Sequence, residues 1–126
     1  MKNTKFYICP HCKNVITKLS DSGVGVVCCG EKMKELVPGE VEASVEKHLP
    51  VVNYENGVVS VCVGSVNHPM TSEHYIPWVY VEFENGGFSK HLTPDSEPTV
   101  SFNVGDDKPT AVYAYCNLHG LWKTNI

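Results

Sequence analysis

Residues 51–63 read Val51-Val52-Asn53-Tyr54-Glu55-Asn56-Gly57-Val58-Val59-Ser60-Val61-Cys62-Val63. Two runs rich in β-branched residues flank an Asn-Gly pair. Asn and Gly tolerate the positive φ that a two-residue type I′ turn demands, and that turn matches the right-handed twist of the strands it joins. The stretch predicts a hairpin, with 51–55 paired to 58–63. Downstream, residues 76–83 are rich in β-branched and aromatic side chains, and Asn85-Gly86-Gly87 turns them toward 88–92. Val100, Phe102 and Val104 alternate with polar residues, 105–109 reads as a turn, and 110–115 runs into Cys116. With 41–45 added, this makes about seven short strands and no sustained helical period, as in a β-sandwich or barrel.

The chain has 126 residues, of which six are Cys and six are His. Ten basic residues against 14 acidic ones give a formal net charge of −4, which argues against a general nucleic-acid binder, since that needs a basic face. A hydrophobic content of 42% with 10% aromatic residues is that of a folded core. The amino terminus lacks the roughly 7–15-residue apolar stretch of a signal peptide, and no run approaches the roughly 18 apolar residues of a membrane-spanning helix. The expectation is a soluble, cytoplasmic protein with no membrane or nucleic-acid partner. In a reducing compartment its thiols are metal ligands or redox groups.

Four cysteines lie within the first 29 residues, and five of the six histidines follow residue 47. Between these groups a charged stretch, 30–39, ends in Pro38-Gly39, which places a boundary near 36–40 and divides the chain into 1–37 and 38–126. The first part is too short for a core of its own, and a metal would supply the missing stability. Residues 5–8 and 24–27 read there as strands. Cys9-Pro10-His11-Cys12 is a Cys-x2-Cys knuckle, in which two sulfurs can face one ion. Cys28 and Cys29 are adjacent, and successive residues of an extended chain point to opposite sides. To ligate together they must sit on a bend, which Gly30 can permit. A zinc ribbon normally has two Cys-x2-Cys knuckles, so the adjacent pair favours iron, although ligand identity alone does not separate iron from zinc. His11 reads as a solvated residue.

In the second part, His48, His68 and His74 lie in loops or beside strands, and Cys116-x2-His119 places a thiol and an imidazole on one turn. Each histidine alone is more often a satisfied or exposed residue than a ligand, but the five together exceed a tetrahedral zinc site. Four nitrogens in a plane with an axial thiolate would leave one position open, as a redox enzyme needs. A blue-copper site would want a methionine after the Cys/His pair, where the chain has Gly120-Leu121-Trp122, so Met70 would have to substitute. His91 has no motif. Cys62 reads as a small buried hydrophobe.

The segments C-P-H-C, C-C-G-E-K-M-K, E-K-H-L-P-V-V, G-S-V-N-H-P-M-T-S-E-H-Y-I and C-N-L-H-G-L-W-K together resemble desulfoferrodoxin, the two-iron superoxide reductase family, from about Tyr7 to Lys123. The resemblance implies a desulforedoxin-like amino-terminal module with non-haem iron at Cys9, Cys12, Cys28 and Cys29. It also implies a seven-stranded immunoglobulin-like sandwich with a second iron held equatorially by His48, His68, His74 and His119 and axially by Cys116. The implied activity is reduction of superoxide to hydrogen peroxide without release of dioxygen. Glu46 and Lys47 match the family's residues beside the first histidine: Lys47 would guide the anion, and Glu46 would close the open position in the oxidised state. A rubredoxin-type electron donor and a homodimer are further implications. The competing classes are a non-enzymatic iron electron-transfer protein and a zinc-stabilised interaction module.

Overall fold

The computed structural model describes residues 3–126, which form two compact units, Asn3–Val37 and Pro38–Ile126. In the first unit β1 (Phe6–Ile8) lies between β2 (Val15–Thr17) and β5 (Lys34–Leu36), all antiparallel. A separate two-residue hairpin pairs β3 (Val27–Cys28) with β4 (Glu31–Lys32). Only Phe6 and Cys9 of this unit belong to the buried apolar set among the described residues, while Leu19, Val24 and Val27 stay exposed. Apolar burial therefore contributes little here. Residues 24–26, expected as part of a strand, are exposed coil, because nothing in so small a unit covers their side chains.

The second unit is a sandwich. One sheet has the order β10 (Thr99–Asn103), β7 (Val58–Val63), β6 (Pro50–Glu55); the other runs β12 (Gly120–Asn125), β11 (Pro109–Cys116), β8 (Trp78–Phe83), β9 (Gly86–His91). All pairings are antiparallel. Asn56 and Gly57 take φ of 51° and 74° and place Glu55 opposite Val58, the two-residue hairpin that Asn-Gly encodes. The pleat sends alternate residues inward. Val59, Val61 and Val63 from β7, Val79, Val81 and Phe83 from β8, and Val112, Ala114 and Cys116 from β11 share one buried core with Phe102. Cys116 is the last inward position of its strand. Its thiol therefore marks the end of the core.

The seven strands of this unit match the expected number, but one member differs. Residues 41–44 form no strand; Val41 and Val45 are exposed, and the chain closes one helical turn, α1 (Val45–His48), through Leu49 N–H to Val45 O at 2.9 Å. One turn of helix exposes Val45, Glu46 and Lys47 and turns His48 inward, where it is buried. The strand missing from the expectation is β12. Its neighbours Leu121 and Trp122 are both buried, so it lacks the alternation that announces a half-buried strand. Cys62 also departs from expectation: it faces out of the core, half-buried, with Asn67 Oδ1 at 3.4 Å from its sulfur.

The loop after β7 packs directly on α1. Val66 N–H and the Ser65 hydroxyl donate to Glu46 O at 2.9 and 3.2 Å, and a Cβ on Gly64 would lie 2.5 Å from that same oxygen. Only glycine fits without backbone movement. Gly64→Ala is expected to destabilise the protein by about 1–3 kcal/mol, read as a lower urea midpoint at unchanged slope.

Candidate metal centres

The first cluster is built by two turns. Cys12 N–H points at Cys9 Sγ at 3.4 Å, which folds the knuckle. The adjacent cysteines converge because Cys29 (φ 53°) and Gly30 (φ 76°) are the two central residues of the β3–β4 turn, flanked by the Cys28–Glu31 pair. Both positive φ values define a type I′ turn, so the bend lies in Cys29 itself as well as in Gly30. Cys12 Sγ and Cys28 Sγ are 3.6 Å apart, and the four sulfurs lie within 4.8 Å of one another. Backbone N–H groups, chiefly that of Cys12, pull the Cys9 thiol down from 9.0 to about 6, while Cys29, crowded by Cys12 and Cys9, is pushed up to about 12. The sulfurs compete to hold negative charge. A central cation would let all four ionise. His11 Nε2 meets Glu31 Oε1 at 2.9 Å on the surface, linking the knuckle to the hairpin.

The second cluster gathers side chains from three strand-end segments. His48 ends α1, His68 and His74 lie between β7 and β8, and Cys116 and His119 flank the β11–β12 turn. His48, His68, His74 and Cys116 offer donor atoms within 4.8 Å of one another. His119 joins them through Nδ1, 3.1 Å from His48 Nε2 and 3.7 Å from Cys116 Sγ. The rings form a closed circuit. Neighbouring centroids are 4.6 Å (His48–His68), 4.7 Å (His68–His74), 5.1 Å (His74–His119) and 4.9 Å (His119–His48) apart, and the diagonal His48–His74 is 6.3 Å. A tetrahedral cluster would make every separation alike; a longer diagonal is the mark of a four-cornered ring.

Proton placement makes the case stronger. His48 Nδ1 lies 2.7 Å from Ser44 O and His68 Nδ1 2.7 Å from Pro69 O. A carbonyl only accepts, so each Nδ1 carries the proton. Burial pulls His68 down from 6.5 to about 4 and also lowers His48 and His74, which keeps the rings neutral at pH 7. The Nε2 atoms of His48 and His68 therefore face each other at 3.1 Å as two lone pairs. His74 Nε2 is buried with no hydrogen-bond partner. Such an arrangement repels itself unless a cation sits between the nitrogens. Nitrogens about 2.1 Å from one ion are separated by about 3.0 Å at a right angle and about 3.4 Å at a tetrahedral angle. The observed 3.1 Å fits the right angle.

Cys116 approaches from the core side, fully buried; burial pushes its thiol up, opposed by the N–H groups of Leu118 and His119 aimed at the sulfur. Glu46 and Lys47 are exposed on α1 next to His48, and the Lys47 charge adds to burial in lowering His48 and His74. Met70 packs against the core instead of joining the donors, and His91 is exposed on β9. Two residues here carried no ligand signal in the sequence. Trp122 stacks on His48 (5.0 Å, 30°) and donates its indole N–H to His119 O at 3.2 Å; Asn117 lies between Cys116 and His119.

The desulfoferrodoxin family model matches residues 40–125. The chain belongs to the desulfoferrodoxin family. A desulfoferrodoxin from Nitratidesulfovibrio vulgaris is 40% identical over 119 residues, covering 94% of each chain. Among solved structures, the superoxide reductase from Treponema pallidum superimposes with a TM-score of 0.82 at 37% identity, covering 98% of this chain and 100% of that one. A single-iron superoxide reductase from Giardia intestinalis gives a TM-score of 0.57 at 31% identity, covering 64% of this chain and 97% of that one. The desulfoferrodoxin match thus spans the sandwich unit that carries the His/Cys cluster, and likeness to the first two proteins extends over nearly the whole chain. Among the described residues no helix is long and apolar enough to cross a membrane.

Cys116→Ser is expected to abolish the sulfur-to-metal charge-transfer absorption of the second centre and leave that of the four-cysteine centre intact. Visible spectra of the two proteins, normalised to metal content, check this.

Proposed function

We propose that the chain is a superoxide reductase, with non-haem iron at both clusters: a small four-cysteine module in residues 1–37 and a catalytic sandwich in 38–126. The observation that supports this most directly is the ring of four imidazoles gathered with a core-buried thiol. Iron held by these residues would supply the electron and the Lewis acidity to bind an anion. The reaction adds one electron and two protons to superoxide and yields hydrogen peroxide, with no dioxygen formed.

The residues divide the work. Cys116, buried on the core side, would hold the iron through a strongly donating thiolate, the kind of ligand that favours departure of an anionic product. His48, His68, His74 and His119 would hold the iron through their ring nitrogens. Superoxide is an anion meeting a chain of net charge −4, so a local positive charge must draw it in. Lys47 Nζ provides that charge at the mouth of the site and orders the water that delivers protons. The Glu46 carboxylate, exposed next to His48, would be the group that covers the oxidised site and withdraws on reduction. A small rubredoxin-type protein in a reducing cytoplasm returns the electron.

Reduced protein mixed with superoxide should be oxidised rapidly, giving one peroxide per superoxide consumed and no dioxygen. Failure to react would favour a simple electron carrier, and evolved dioxygen would mean dismutation. Lys47→Ile should slow capture by about tenfold or more at low salt and flatten its ionic-strength dependence; an unchanged salt profile removes Lys47 from the steering role.

A further inference from the structure

His74 differs from the other buried histidines. The rings of His48 and His68 are each fixed through Nδ1 by a backbone carbonyl. Among the described residues no carbonyl holds the His74 ring in this way, and its Nε2 has no partner. Beyond its packing on the rings of His68 and His119, its aim depends on its backbone. That backbone belongs to the long loop between β7 and β8, whose residues 71–73 are exposed. A loop of this kind has no reason of its own to deliver an imidazole within a few tenths of an ångström.

We infer that Asn117 is the positioning residue for His74, by clamping the peptide segments on both sides of it. Tyr75 N–H donates to Asn117 Oδ1 at 2.9 Å, and Asn117 Nδ2 donates to Glu73 O at 2.9 Å. The Asn117 backbone N–H adds a third bond, to Tyr75 O at 3.2 Å. The backbone groups of His74 itself are taken up inside its own turn: its N–H by Thr71 Oγ1 at 3.1 Å and its carbonyl by Thr71 N–H at 3.0 Å. The backbone polar groups that flank the ring are thus accounted for.

The amide is suited to this because it offers one acceptor and one donor from a single rigid plane, and the two flanking peptides need one of each. Its place in the chain matters equally. Asn117 follows Cys116 and precedes His119 by two residues, so one turn carries two donors of the cluster and registers a third against them. Burial of the clamp is partial, so its bonds act by geometry more than by stability. This inference rests on the reading of His74 as a metal ligand.

The test uses purified iron-loaded, full-length protein and measures how fast a chelator strips iron from the His/Cys centre, followed through its own absorption band. The band of the four-cysteine centre in the same sample is the control. Asn117→Ala should speed release about tenfold or more, the usual effect of removing a partner that orients a ligand, with the four-cysteine band unchanged. Asn117→Asp keeps the acceptor for Tyr75 and loses the donor to Glu73; it should fall between the two and provides the test if the alanine variant folds poorly. In a His74→Ala background, either change should alter release by less than about twofold, because the residue being positioned is gone. Wild-type release rates in both Asn117 variants would overturn the inference, as would equal acceleration with and without His74, the signature of a general structural role. Unchanged release in His74→Ala alone would instead remove His74 from the ligand set and defeat the reading beneath the inference.

Discussion

Two imidazole lone pairs facing each other at 3.1 Å in a buried site are the constraint from which the rest follows. Carbonyl acceptors at 2.7 Å fix the protons of His48 and His68 on the far side of each ring, and burial keeps the rings neutral. No rearrangement of hydrogens relieves the contact. A cation does, and the same cation gives the buried Nε2 of His74 a partner. Everything else in the sandwich unit can be read as a means of holding these atoms still.

The β-sandwich is suited to that task because its strand ends are fixed by a close-packed core while its loops are free to carry chemistry. Cys116 terminates the inward row of β11, so the position of its sulfur is set by the packing of Val112 and Ala114 below it. The imidazoles come from three separate segments, anchored differently: His48 by one helical turn under Gly64, His68 by its own peptide neighbour, and His119 by its carbonyl, which accepts from the indole N–H of Trp122. The amino-terminal cluster solves a different problem. With Phe6 and Cys9 the only buried apolar residues among those described in it, that unit depends on the sulfurs for cohesion, and its type I′ turn at Cys29-Gly30 is what adjacent cysteines require.

Much of this is written in short patterns. Asn56-Gly57 announces a hairpin because few other pairs accept two positive φ values, and the valine alternation of β7 assigns its inner face. The spacing of Cys9, Cys12, Cys28 and Cys29 predicts convergence and even the need for a bend. Other features depend on tertiary context and leave no local trace. Residues 41–44 form no strand, whereas β12 is paired to β11 and buries the adjacent Leu121 and Trp122, which breaks the alternation. Cys62 sits among valines yet occupies the outward phase of its strand. Asn117 and Trp122 are ordinary residues until the loops they hold are brought beside them.

Anomalous diffraction at the iron edge from crystals of the purified protein tests the account most directly. Two iron peaks per chain are predicted. One should be bonded to the sulfurs of Cys9, Cys12, Cys28 and Cys29; the other should lie in the plane of His48 Nε2, His68 Nε2, His74 Nε2 and His119 Nδ1, with Cys116 Sγ beneath it. A tetrahedral ion that leaves one of those imidazoles unbound, or no peak between them, would contradict it.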